Sequence, residues 1–141
     1  MSEDTPSTQT DGLTLLGKGQ TDYPGSPAAA TLEAFPNPNP KRDYVITFDC
    51  PEFTALCPIT GQPDFGHITI EYVAAECCLE SKSLKLYLFS FRNEGVFHEA
   101  VVNRILDDIV AITQPRRATV HGNFNPRGGI ALKVSASYPD A

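Results

Sequence analysis

The sequence predicts an α+β domain, an antiparallel four-stranded sheet with a helix pair on one face (ββααββ). Three observations predict it. Four segments alternate apolar and polar residues at the period of a strand. Two segments between them carry apolar residues at helical spacing, and the order along the chain is strand, strand, helix, helix, strand, strand. A chain of 141 residues suits one such domain, with a core that needs no disulfide or metal staple.

Residues 1 to about 42 read as a tail. Six of the twelve prolines lie there: Pro6, Pro24, Pro27, Pro36, Pro38 and Pro40. The run NPNP at 37–40 fits neither a helix interior nor a central strand. Disorder is expected over 1–20, and an extended path over the domain or a neighbouring subunit over 20–42.

Tyr44, Ile46 and Phe48 then alternate with Val45, Thr47 and Asp49 as a first strand, followed by an expected loop over 50–65. His67, Thr69, Glu71 and Val73 alternate with Ile68, Ile70, Tyr72 and Ala74 as a second. Leu84, Tyr87, Leu88 and Phe91 fall at i, i+3, i+4, i+7, with Leu86 and Phe89 widening the stripe and Gly95 as the stop signal. A second helix starts near His98. Its apolar face is Val101, Val102, Ile105, Leu106, Ile109 and Ile112; Asn103, Arg104, Asp107 and Asp108 oppose it, and Pro115 ends it. The last strands are RATVHGNF, with Ala118, Val120, Gly122 and Phe124 inward, and IALKVSASY, with Ile130, Leu132, Val134 and Ala136 inward. NPRGG, Asn125 to Gly129, joins them as a hairpin turn. A four-stranded sheet has two open edges, and pairing them between subunits into a barrel would cover both.

Composition narrows the function classes. A formal charge of −6 argues against a general nucleic-acid binder, which needs a basic face. No run of about 18 apolar residues is present, and MSEDTPSTQT lacks the basic start and apolar stretch of a secretory signal. The expected location is the cytoplasm, with Cys50, Cys57, Cys77 and Cys78 as free thiols.

Four short segments can carry chemistry, and each has a plainer reading. Cys57 can be a small buried hydrophobe, but a Pro- and Gly-bent loop leaves a thiol reachable, and a reachable thiol is a nucleophile once its pKa falls. Asp64 would not lower it, since a carboxylate disfavours thiolate; a shared reaction would use Asp64 as an acid in a desolvated site. ESKSLK, Glu80 to Lys85, can be a helix start capped by Ser81 or Ser83, or an anion site with Lys82 and Lys85 at a helix N-terminus. His98 and Glu99 open the second helix; Glu99 suits the first turn, or the N–H edge of a guanine-like base. NPRGG can be only a turn, or can bring Arg127 and glycine amides to phosphate. The His and Cys residues show no close-spaced zinc-ligand pair apart from adjacent Cys77 and Cys78, and adjacent residues on a strand face opposite ways.

Together, CPITGQPDFG, ESKSLKLYLFSFRNEGVFHE and the later NPRGG resemble the short, single-module NADPH-dependent 7-cyano-7-deazaguanine reductases, the nitrile reductases that supply a precursor for queuosine in tRNA. The resemblance spans about residues 35–138, with the motifs in the family's order. It implies a domain at 35–141 after a tail at 1–34, the latter a departure from a minimal member. It implies the tunnelling fold, assembled as barrels with purine or pterin sites between subunits. It implies Cys57 as nucleophile, Asp64 as proton donor, and His98 as both a catalytic residue and part of the substrate site. Glu99 would anchor the base edge and Leu79, Glu80 and Ser81 would line the substrate. Lys82, Lys85 and Arg127 would meet the NADPH phosphates, and no metal is required. The competing expectations are a pterin cyclohydrolase or aldolase on the same fold, and a non-catalytic purine- or pterin-binding assembly protein.

Overall fold

The computed structural model describes residues 12–14, 23–27 and 30–140. Its main sheet has the order β2-β3-β5-β6, antiparallel throughout: β2 Val45–Leu56, β3 Pro63–Val73, β5 Arg117–Phe124 and β6 Lys133–Tyr138. Helices α1 (Ser81–Phe89) and α2 (His98–Thr113) follow β3, so the predicted ββααββ order is present. Two further strands, β1 (Ala34–Pro36) and β4 (Cys77–Leu79), pair with each other outside the main sheet. At three residues each they are too short to show a period in the sequence.

Period 2 sorts the sheet's faces. Ile68, Ile70 and Tyr72 of β3 and Ala118, Val120 and Phe124 of β5 are buried against Val101, Val102, Ile105 and Ile109 of α2 and Leu84 and Tyr87 of α1. Each large aliphatic side chain so buried contributes about 1.5–3 kcal/mol. The other face is polar: Thr119 meets Ser137 at 3.0 Å, His121 Nδ1 meets Ser135 at 2.7 Å, and His67 pairs with Asp49.

Several elements differ from the expectation. The loop placed over 50–65 is mostly strand. β2 is an edge strand, so it tolerates Pro51 at an irregularity between Cys50 and Phe53 and then runs on to Leu56. Only 57–62 remain as the connection. The first helix closes at Phe89 and tightens into a 3₁₀ turn over Ser90–Asn93, which still buries Phe91. Gly95 therefore does not stop α1; it lies beside Leu56 in a short parallel bridge. Ile112 is exposed and Thr113 buried, its hydroxyl donating to the Ile109 carbonyl at 2.8 Å. Ile130 belongs to the turn, bridged to Arg127, and is exposed, so β6 begins only at Lys133.

The segment 30–37 is tied to the domain. The Glu80 N–H donates to the Glu33 carbonyl (2.9 Å), the Glu33 N–H donates to Ser83 Oγ (3.0 Å), and Asn37 Nδ2 donates to the Ala75 carbonyl (2.8 Å). The disorder expected over 1–20 falls outside the described residues apart from 12–14. No helix among the described residues is long and apolar enough to cross a membrane.

Candidate active site

Cys57 ends β2 and opens a tight turn. The Cys57 N–H donates to the Gln62 carbonyl and the Gly61 N–H to the Cys57 carbonyl, both at 2.9 Å. The chain thus curls through one helix-like turn over 58–61, and Cys57 holds the place of an N-cap residue. The Thr60 hydroxyl first, then the backbone N–H groups of Thr60 and Ile59, with a smaller contribution from Arg127, pull the Cys57 thiol below its ordinary pKa against desolvation. Cys50, eight residues before the turn's first free position at Pro58, behaves oppositely: burial first, and Asp49 second, push its thiol up.

The strand end is anchored to the start of α2. The Leu56 N–H donates to the Glu94 carbonyl (2.9 Å) and the Val96 N–H to the Leu56 carbonyl (3.1 Å). Gly95 permits this approach, since a Cβ there would lie 3.2 Å from Pro58 Cα. His98, the first residue of α2, is thereby set beside the Cys57 turn.

Asp64 is on β3, opposite Ala55, and not on a loop as expected. It shares the inward phase of Gly66, Ile68 and Ile70, and is 7% exposed. Arg127 Nη1 donates to its Oδ1 at 2.5 Å, while His98 Nε2 lies 3.4 Å from its Oδ2. The two carboxylate oxygens therefore face different partners. Arg127 also donates to the Gln62 side-chain carbonyl. The His98 ring lies flat on Phe124, with centroids 3.8 Å apart and planes within 4°. Phe124 fits because Gly66 and Gly122 have no Cβ; one built at either would sit 2.7 Å from its ring. Glu99 is the exposed acid of α2's first turn, and Ile59, Phe97 and Ile130 stand exposed around the cluster.

Cys57, Asp64, His98 and Arg127 are brought together. Leu79, Glu80 and Ser81 are not among them. They line a separate cleft of about 460 Å³ with Phe35, Tyr44 and Phe48. At about 3.3 Å per residue, the nine steps of β2 from Phe48 to Cys57 span up to about 30 Å, more than a bicyclic base can bridge. The cap of α1 is Glu80, not Ser81 or Ser83. Its carboxylate accepts the N–H groups of Lys82 and Ser83, both at 2.7 Å, so an internal anion already fills the helix N-terminus where an external one was considered. Lys85 instead lines a cleft of about 360 Å³ with Arg92, Glu52 and Phe89. Sequence reasoning missed the roles of Thr60 and Gln62, although both stand in the quoted CPITGQPDFG motif.

A model of the QueF-like protein family matches residues 63–141. The NADPH-dependent 7-cyano-7-deazaguanine reductase of Neisseria gonorrhoeae (strain NCCP11945) is 54% identical over 130 residues, covering 92% of this chain and 83% of that one. The chain belongs to this reductase family. The reductase of Neisseria meningitidis (serogroup C, strain FAM18) is 52% identical over 141 residues, covering all of this chain and 88% of its own, and that of Bacillus subtilis (strain 168) is 52% identical over 128 residues, covering 91% and 78%. Among solved structures, the archaeosine synthase QueF-Like in its apo form superposes with a TM-score of 0.66 over 72% of this chain and 99% of that one, at 20% identity, a likeness of fold.

The residues of this reductase-family chain suit a phosphate-bearing dinucleotide. Lys85 and Arg92 place two cations in one cleft beside β2. Gly128 and Gly129, at φ of 59° and 81°, leave open space on the Arg127 turn where backbone can approach a ligand.

Proposed function

We propose that this chain reduces the nitrile of 7-cyano-7-deazaguanine to an aminomethyl group through a covalent thioimide on Cys57. The supporting observation is that the Cys57 turn, bonded to Gln62, is joined through Arg127 to the buried Asp64 carboxylate, which His98 faces. The names of its relatives specify the substrate and NADPH.

The Cys57 thiolate adds to the nitrile carbon. A C–S bond forms and one π pair of the C≡N bond moves to nitrogen, which takes a proton from Asp64, leaving a neutral thioimide. Arg127 occupies Oδ1, so the proton is carried on Oδ2, the oxygen facing His98. Two NADPH, bound in turn, would each supply one hydride, the first to the thioimide carbon and the second to the imine carbon that remains once sulfur leaves. Cys57 departs as thiolate, and a second proton from the Asp64–His98 pair completes the amine. Two hydrides and two protons balance the four-electron reduction. Glu99 accepts from the N–H edge of the base. Lys82, Lys85 and Arg127 face the cofactor's phosphates, Arg127 with the guanidinium N–H groups not given to Asp64 and Gln62.

The complete site is shared between subunits. One protomer supplies Cys57, Asp64, His98 and Glu99, and its neighbour supplies Leu79, Glu80 and Ser81. The separation of the two clusters along β2 favours this reading, as do the exposed Ile59 and Phe97 beside the thiol and the two open sheet edges. The domain runs from about residue 35, and the enzyme works in the cytoplasm. The test is oxidation of NADPH in the presence of the cyano base, with two NADPH consumed per aminomethyl product. Turnover of GTP, or stoichiometric zinc, would instead support a cyclohydrolase-type enzyme.

A further inference from the structure

We propose that Leu13 is a substrate-binding residue: the N-terminal segment 12–14, held by the Glu33 carboxylate, forms one wall of the base cleft. This rests on the reading of Leu79, Glu80 and Ser81 as substrate residues. Those three line the cleft of about 460 Å³ at the start of α1, and Leu13 lines it with them, beside Phe35 and Phe48. Small-molecule sites span about 300–1,000 Å³, so the cleft is of the right size. Its leucine and phenylalanine side chains suit the flat apolar faces of a bicyclic base. Glu80 and Ser81 bring polar groups for the edge of that base.

Glu33 fixes Leu13 in place. It is a buried residue, 6% exposed, and its carboxylate accepts the Thr14 N–H at 2.9 Å from each oxygen, and the Thr14 hydroxyl as well. A carboxylate so deeply placed destabilises the fold unless donors reach it, and Thr14 supplies two. The backbone of Glu33 is itself bound to the start of α1. Its carbonyl accepts the Glu80 N–H at 2.9 Å, and its N–H donates to Ser83 Oγ at 3.0 Å. One residue thus ties Thr14 to the helix start that carries Glu80 and Ser81. Leu13 precedes the tied residue and is half-buried, between exposed Gly12 and exposed Thr14.

The experiment is titration calorimetry of the full-length chain with 7-cyano-7-deazaguanine and, separately, with NADPH. All variants carry Cys57→Ala, which keeps base binding non-covalent. Leu13→Ala raises the Kd for the base severalfold and Leu13→Asp raises it further, while Leu13→Met follows the parent. Thr14→Pro, which removes both donors to Glu33, shows a loss like that of Leu13→Ala. The Kd for NADPH and the melting midpoint stay at the parent values in Leu13→Ala. A parent Kd for the base in Leu13→Ala or in Thr14→Pro overturns the proposal. So does a loss of base and NADPH affinity together with a lowered melting midpoint, which would mark a purely structural role. If Leu13→Asp does not fold, Leu13→Ala decides by the same criterion. Ser81→Trp separates this failure from that of the cleft. If it abolishes base binding while the Leu13 variants bind as the parent does, the wall alone is wrong. If it binds the base normally, the assignment of the cleft and this proposal fall together.

Discussion

His98 Nε2 lies 3.4 Å from Asp64 Oδ2, and the same imidazole lies flat on the buried Phe124 ring. The imidazole that faces Asp64 is thus oriented by the hydrophobic core. Gly66 and Gly122 make that orientation possible, since both flank Phe124 on adjacent strands.

Gly122→Ala should therefore damage stability and activity together. The new methyl meets both Phe124 and Val102 Cγ2 at 2.7 Å. Overpacking of this kind costs about 1–3 kcal/mol. Urea unfolding should show a lower midpoint, and kcat should fall as His98 shifts with the ring. A midpoint and kcat both equal to wild type would remove the packing argument.

Asp64→Asn should bind the cyano base normally and reduce it slowly. The amide preserves shape but cannot deliver the proton that nitrile nitrogen requires. Loss of one general acid typically costs 10²–10⁴-fold in rate. Undiminished kcat would exclude Asp64 as the donor.

Glu99→Ala should weaken substrate binding by about 1.5–3 kcal/mol, the range for a hydrogen bond to a charged group. Glu99 is exposed in α2's first turn and makes no buried contact, so the fold should survive. Titration calorimetry giving a wild-type Kd would retire the anchor role.

Cys57 should be the most readily alkylated thiol at neutral pH. Its thiol is lowered, so the thiolate fraction rises with pH earlier than for an ordinary cysteine, whereas the raised Cys50 thiol remains protonated there. Faster labelling of Cys50 would contradict this.

If two half-sites meet between protomers, two inactive variants should rescue each other. Ser81→Trp places a bulky group at the exposed start of α1, and Cys57→Ala removes the nucleophile. Oligomers mixed from both contain sites with neither lesion and should regain activity. Absence of recovery in demonstrably mixed oligomers would place all contacts within one chain.

Long alternating strands and the α2 stripe were legible because burial imposes a period: Ile68, Ile70 and Tyr72 are buried as their spacing predicts. The continuation of β2 past Pro51 was not. Proline normally argues against strand, and only the position of β2 at the sheet edge makes it tolerable. Asp64 misled in the same way, since a buried acid on a strand is favoured only once Arg127 arrives from sixty-three residues away. The motif residues carried the family resemblance; the Thr60–Gln62–Arg127 contacts depend on a hairpin whose reach no local pattern encodes.

The central claim is tested most directly by intact-protein mass spectrometry of the chain mixed with 7-cyano-7-deazaguanine and no NADPH. The account predicts a mass increase equal to one molecule of the base per chain, located on Cys57 and absent from Cys57→Ala. An unchanged mass in protein that nonetheless reduces the nitrile, or an adduct that persists in Cys57→Ala, would contradict it.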